Sequence, residues 1–99
     1  MSISRLYKTH PLKLASKRIA EVCKGRPDLL ALGTRFLRNV ADLSAPDTAD
    51  ITLATRAQTI LDWLTVLARP HATDKDRRQA RLDVQALDAE LTEEAESGE

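Results

Sequence analysis

Apolar residues recur at the spacing of an α-helix in four stretches of this chain, and residues that favour turns separate these stretches. At 100° per residue, the apolar side chains of each stretch gather on one side of a helix, which is the pattern of an amphipathic helix packed on a core. Leu, Ala, Ile and Val supply most of the apolar content, beside one Phe, one Trp and one Tyr. The pattern predicts an all-α fold, a small antiparallel bundle of three to four helices.

Proline and glycine residues mark the limits of the predicted helices. Pro11 and Pro27 suit the first turn of a helix, where the missing N–H costs nothing, and Gly25 ends the first helix. The expected helices cover residues 11 to about 24, 27 to about 43, the stretch from the loop at 44–48 to about 69, and 74 to about 94.

Side chains that can cap a helix N-terminus stand before the third and fourth helices. Asp47, Thr48 or Asp50 is expected to cap the third helix, and Thr73 or Asp74 the fourth.

The second predicted helix has the widest apolar arc, with Gly33 in its middle. Such an arc needs more than one neighbour, and a glycine there lets another helix come close. We therefore expect the second and third helices to form the central hairpin.

In the fourth helix, Ala80, Val84, Leu87 and Leu91 follow a 4-3-4 spacing, which is a short a/d seam. The seam can pack on the bundle or pair with a second copy, so a homodimer through this helix is one expectation.

The charges of the chain are segregated although their sum is zero. Residues 1–40 contain nine Lys and Arg against two acids, a net charge of +7. Residues 41–72 carry a net charge of −2, and residues 73–99 carry −5. Such an asymmetry concerns partners more than fold.

We expect a single helical domain over residues 1–99. It begins with an irregular basic lead-in at residues 1–10 and continues as the bundle over residues 11–91. It ends in an acidic tail at residues 92–99, which lacks apolar anchors and is expected to be disordered.

Cys23 is the one cysteine, which excludes an intramolecular disulfide and a thiolate cluster for a metal. The N-terminus has no apolar core of a secretory signal, and no apolar run approaches the length of a membrane span. We expect a cytoplasmic protein of bacterial or phage type, without cofactor or metal and without contact to a membrane.

Two surface features favour a protein partner. Lys13, Lys17 and Lys24 share the outer face of the first helix. Beside the core stripe of the third helix runs a second stripe, formed by Thr52, Arg56, Thr59, Trp63 and Val66. Because Trp and Arg are enriched at binding hot spots, we expect Arg56, Trp63 and Val66 to anchor a partner toward which the three lysines steer. The leading hypothesis is a non-enzymatic regulator, adaptor or inhibitor that binds a larger protein.

The alternative is a small nucleic-acid-binding protein. In this hypothesis the basic N-terminal residues neutralise phosphates, which makes the affinity depend on salt. The residues concerned are Arg5, Lys8, Lys13, Lys17, Lys24 and Arg26.

A third hypothesis rests on His10. Together with Leu12, Lys13, Ala15 and Ser16 it resembles the signature of histidine phosphotransfer domains, whose phospho-accepting His lies within a bundle helix. The chain has Leu14 where that signature has glycine, and Pro11 directly after the histidine places His10 at a helix start. No residue combination indicates a catalytic site, so we expect a protein that is not an enzyme.

Overall fold

A computed structural model describes residues 10–97 of the chain. These residues form helices α1 (Pro11–Val22), α2 (Pro27–Leu43), α3 (Asp50–Ala68) and α4 (Asp74–Ser97). The predicted all-α fold is confirmed for this part of the chain. The proposed lead-in at residues 1–10 falls almost wholly outside it.

The helices alternate in direction along the bundle. Ser44, next to the end of α2, contacts Arg56 near the start of α3, whereas Phe36 stacks on Trp63 further along α3. Arg56 also contacts Glu94 near the end of α4, so α3 and α4 are antiparallel as well. Both α2 and α3 contact every other helix, while α1 and α4 do not contact each other. The expected central hairpin of α2 and α3 is therefore present.

Local interactions fix the helix ends. His10 precedes α1, and its Nδ1 accepts a hydrogen bond of 3.3 Å from the N–H of Leu12. Gly25, with φ of 78°, occupies the left-handed region that lets the chain reverse after α1. The hydroxyl of Thr73 accepts a bond of 3.1 Å from the N–H of Asp76, as predicted for the start of α4.

The predicted cap of α3 is wrong. Ala49 occupies the N-cap position, with extended backbone and no side-chain hydrogen bond. Thr48 instead turns its hydroxyl toward Glu94 of α4, and Asp50 is the first residue of the helix. Thr48 thus makes a hydrogen bond to a distant helix rather than a local cap at the start of α3.

The core lies where three helices meet at Gly33. A Cβ atom at this position would lie 2.5 Å from Cδ1 of Leu64 and 2.9 Å from Cγ2 of Ile19. Both of these side chains are fully buried, with 0% and 1% of their surface exposed. Gly33 thus allows the close approach of α1 and α3 to α2, as the sequence indicated.

The seam of α4 packs within the chain. Ala80, Val84, Leu87 and Leu91 are all buried against the rest of the bundle. These four side chains are therefore already covered and do not present an apolar strip to a second copy.

The prediction of a disordered tail from residue 92 is wrong as far as the structure describes it, because α4 continues to Ser97. Leu91 is 2% exposed, and Glu94 bonds to Arg56 and to the α2–α3 loop. These contacts anchor an end whose own sequence is acidic and polar. None of the four helices combines the length and the apolar content that a membrane crossing requires.

Candidate partner-binding groove

A groove of about 700 Å³ runs between α3 and α4. Val66, Arg69 and Asp76 lie at one end of it, and Ile51 and Glu90 at the other. It therefore follows most of the length of α3. The stripe predicted from the sequence (Thr52, Arg56, Thr59, Trp63 and Val66) lines this groove in full.

The α3 side of the groove carries three large apolar side chains. Trp63 is half-buried and packs edge-on against Phe36, with ring centroids 5.1 Å apart and planes at 83°. Val66 is half-buried beside it, and Ile51 at the far end is 77% exposed. Large apolar side chains on a concave surface are the usual anchors of a protein interface.

Arg56 lies buried and contacts side chains of its own chain. Only 5% of it is exposed, and its guanidinium donates to Glu94, to Glu90 (3.0 Å) and to the hydroxyl of Ser44 (2.7 Å). Its charge is thus paired within the chain, and a role for Arg56 in binding a partner stays a prediction. Its Nε lies buried without an acceptor among residues 10–97.

Glu94 connects Arg56 to the α2–α3 loop. It accepts a hydrogen bond of 2.8 Å from the N–H of Ala45 and one of 3.2 Å from the hydroxyl of Thr48. The hydrogen bond from Arg56, followed by that from Ala45, lowers the pKa of Glu94 to about 2. The same hydrogen bond raises the pKa of Arg56. We call Ser44, Ala45, Thr48, Arg56, Glu90 and Glu94 the Arg56 clasp.

Exposed carboxylates edge the groove. We call them the carboxylate rim: Asp62 on α3, and Asp76, Asp83 and Glu90 on α4. The side-chain amide of Gln58 donates a hydrogen bond of 2.7 Å to Asp62, and that of Gln79 donates one of 3.1 Å to Asp83. These neutral amides hold the two carboxylates in place without removing their charge. Glu90 pairs with Arg56, and Arg69 is an exposed cation at one end of the groove, so two arginines face four carboxylates and the groove is acidic on balance.

The lysines predicted to steer a partner lie elsewhere. Lys13 and Lys17 are exposed on α1, and Lys24 is exposed in the turn that follows it. None of them lines the groove, and α1 does not contact α4. The predicted partner-binding residues therefore fall on two surfaces, the groove and the outer face of α1.

The nucleic-acid hypothesis draws on the same face of α1. Arg26 pairs with Asp28 at 3.2 Å, a bond that lowers the pKa of Asp28. Arg5 and Lys8 lie outside the described residues.

Two further residues of interest have structural positions. His10 caps the start of α1 with its ring nitrogen, rather than standing within a helix as a phospho-accepting histidine does. Cys23 is 2% exposed in the core, and burial raises the pKa of its thiol. Among residues 10–97, no group of His, Cys, Asp and Glu is arranged to hold a metal ion.

The fold thus defines a small all-α helical bundle with a groove on one side. Comparison of the chain with protein-family models, with curated proteins and with solved structures finds no match.

Sequence reasoning found the apolar part of the groove but missed the carboxylate rim and the Arg56 clasp. The acids of α4 resemble a solvated face when they are considered alone. The signal available was the seven-residue spacing of Asp76, Asp83 and Glu90, which places them on one side of the helix.

Proposed function

We propose that this protein is a non-enzymatic interaction protein, a regulator, adaptor or inhibitor that binds a larger protein through the α3–α4 groove. The observation that carries the proposal is the groove itself, because it places Trp63 and Val66 side by side on a concave surface, with the exposed Ile51 at its far end. Trp63 and Val66 serve as the central apolar anchors, and the carboxylate rim surrounds them with charge.

In this proposal Lys13, Lys17 and Lys24 act at a distance. They form a basic surface on α1 and the turn after it that orients an approaching acidic surface, and they do not touch what lies in the groove. A cytoplasmic location belongs to the same proposal, since Cys23 is a free, buried thiol of the kind found in reducing compartments.

A photo-crosslinking amino acid at Thr55 tests this role in the cell that produces the protein. Thr55 is exposed and lines the groove, whereas Thr34 is exposed on α2 and serves as the matched position outside it. We expect a discrete adduct with another protein from position 55 and none from position 34. Equal adducts from both positions, or none from position 55, would contradict the proposal.

Variants then separate the anchors from the rest of the surface. Trp63→Ala and Ile51→Ser are expected to lower the yield of the adduct, because both remove apolar surface from the groove. Leu82→Ser is the control, since Leu82 is 51% exposed on α4 but does not line the groove. Circular dichroism checks the fold of Trp63→Ala, because Trp63 also packs on Phe36.

The exposed basic face of α1 supports a second candidate, the binding of nucleic acid. Lys13, Lys17, Arg18 and Lys24 are exposed on or beside α1, against the single acid Glu21 of that helix. Such a face contacts phosphates and binds more weakly as salt rises.

Fluorescence anisotropy of a random-sequence DNA duplex tests this second candidate. We expect binding whose logarithmic salt slope corresponds to several phosphates and falls by about one in Lys17→Ala. If the acidic end of α4 competes with DNA, Glu93→Gln with Glu96→Gln strengthens binding, and both residues lie outside the Arg56 clasp. A duplex that does not bind at low salt removes the candidate.

A further inference from the structure

We infer that the α3–α4 groove of one copy accepts the outer face of α1 from a second copy of this chain. The inference rests on the proposed role of the groove as a docking surface, but it assigns this surface a different occupant. Both of the complementary surfaces belong to the described chain, and their charges are opposite.

The charges of the two surfaces are opposite. Asp76 and Asp83 line the groove seven residues apart on α4, about 10.5 Å along the helix, whereas Glu90, one step further, already pairs with Arg56. Lys17 is exposed on α1 and Lys24 in the turn that follows it, so these cations can face the carboxylates of the rim.

Helix-in-groove packing is a common way in which a protein surface accepts an amphipathic segment, and α1 is such a segment.

Both surfaces also carry apolar groups. Leu14 on α1 is 45% exposed where α1 meets α3, at a small pocket that it lines with Ala54 and Leu61. Trp63 and Val66 contribute apolar surface within the groove. Because α1 contacts α2 and α3 but not α4, it lies at the side of the bundle and can be presented to a neighbour.

The two surfaces are different patches of the molecule, so the contact is heterologous rather than a symmetric pairing of one patch with itself. The ion pairs at the rim are solvent-exposed and contribute little each. We therefore expect a weak association that salt dissolves, with a dissociation constant on the order of 0.1–1 mM. A second copy that occupies the groove would compete with a larger partner for the same surface.

Sedimentation velocity of the pure full-length protein tests the inference over concentrations up to about 1 mM. We expect the sedimentation coefficient to rise with concentration at low salt and to stop rising at high salt. Lys17→Glu and Asp83→Lys are each expected to weaken association by about two- to fivefold or more, since each also creates repulsion.

A charge swap makes the test specific. The double variant Lys17→Glu with Asp83→Lys restores pairs of opposite charge between copies and is expected to recover the association. Asp88→Lys is the matched control, because Asp88 is exposed on the same helix and does not line the groove. A monomer at every concentration, an equal loss in Asp88→Lys, or no recovery in the double variant would each overturn the inference.

These results are independent of the proposed function. A monomeric pure protein that still crosslinks to another protein from position 55 contradicts only the self-association. A protein that crosslinks only to its own copies supports self-association and contradicts the binding of a larger partner.

Discussion

Arg56 joins three parts of the fold that are far apart in the sequence. Its guanidinium contacts Ser44, 12 residues earlier, and Glu90 and Glu94, 34 and 38 residues later. A charge that is only 5% exposed needs such partners, because an unpaired buried charge is strongly unfavourable. The Arg56 clasp therefore makes α4 depend on α3 and on the α2–α3 loop.

Glu94 gives the folded protein a defined response to acid. Its pKa is about 2 in the folded chain, below the usual value of 4.5. A carboxylate with a lowered pKa stabilises the fold fully above its unfolded pKa, and this contribution disappears as the pH falls through the folded value. We expect the wild type to lose stability between about pH 4.5 and pH 2, whereas Glu94→Gln loses less over the same range.

Urea unfolding at a series of pH values measures this difference. Glu93→Gln is the control, because Glu93 is the exposed neighbour outside the Arg56 clasp. At pH 7 Glu94→Gln is expected to be the less stable protein, and near pH 2 the two should converge. A constant difference in the free energy of unfolding between the wild type and Glu94→Gln across the pH range would show that the loss of stability is unrelated to ionisation of Glu94.

The sequence identified Arg56 as a groove residue but not as a buried ion. Its spacing with Thr52, Thr59, Trp63 and Val66 correctly placed it on one stripe of α3. A stripe shows on which side of one helix a residue lies, however, and does not show which residues of another helix pack against it. That required the position of α4, whose acids carry no sequence signal that distinguishes Glu94 from Glu93.

Gly33 is a residue whose role could be predicted, because a glycine in the middle of an apolar helix arc indicates a close approach by a neighbouring helix. Gly33→Ala gains about 1 kcal/mol of helix propensity but crowds Leu64 and Ile19, and overpacking costs about 1–3 kcal/mol. We expect a net loss of about 1 kcal/mol in the free energy of unfolding, measured by urea unfolding.

A double-mutant cycle identifies the cause of that loss. Leu64→Val removes the methyl group nearest to the added Cβ, so the double variant should be more stable than the sum of the single effects predicts. Strict additivity would mean that the cost of Gly33→Ala arises elsewhere.

At the scale of elements, helical periodicity predicted the four helices well and their ends less well. Amphipathic spacing is a property of each segment, and the buried residues of α1, α3 and α4 follow it. Helix ends depend on contacts beyond the segment. The acidic end of α4 remains helical through the Arg56 clasp, and Thr48 bonds to Glu94 instead of capping α3.

The uncapped start of α3 offers a stabilising substitution. Ala49 is an exposed N-cap with extended backbone, the geometry in which Ser accepts a bond from the first helical turn. Ala49→Ser is expected to raise the free energy of unfolding by about 1 kcal/mol, measured by urea unfolding. Ala41→Ser, at an exposed position inside α2, should lower the free energy of unfolding by a few tenths of a kcal/mol. Equal effects at both positions would argue against a capping origin.

At the scale of the whole molecule, the segregated charges of the sequence become two separate surfaces. The basic residues of α1 and the acids along α4 lie on helices that do not contact each other, so they cannot neutralise one another within the bundle. A chain with a net charge of zero thereby keeps a basic face and an acidic groove. The sequence predicted the asymmetry but not the groove, which is formed only when α3 and α4 pack.

The Arg56 clasp also predicts how the effect of a truncation spreads through the bundle. Ending the chain after Thr92 removes Glu94, so Arg56 loses one carboxylate partner and the N–H of Ala45 loses its acceptor. We expect the melting temperature to fall by several degrees and amide exchange to accelerate at Ala45. Exchange of amides within α1 should change only as much as the free energy of global unfolding changes, because α1 does not contact α4.

The variant Glu93→Gln with Glu96→Gln separates loss of contacts from loss of charge, because it lowers the acidity of this end while keeping Glu94. It should match the wild type in both melting temperature and exchange at Ala45. If it behaved like the truncated chain, the acidic end would act through its net charge and the Arg56 clasp would not be what holds α4. If the truncation loosened α1 and Ala45 to the same extent, the bundle would open as one unit rather than from the end that Glu94 secures.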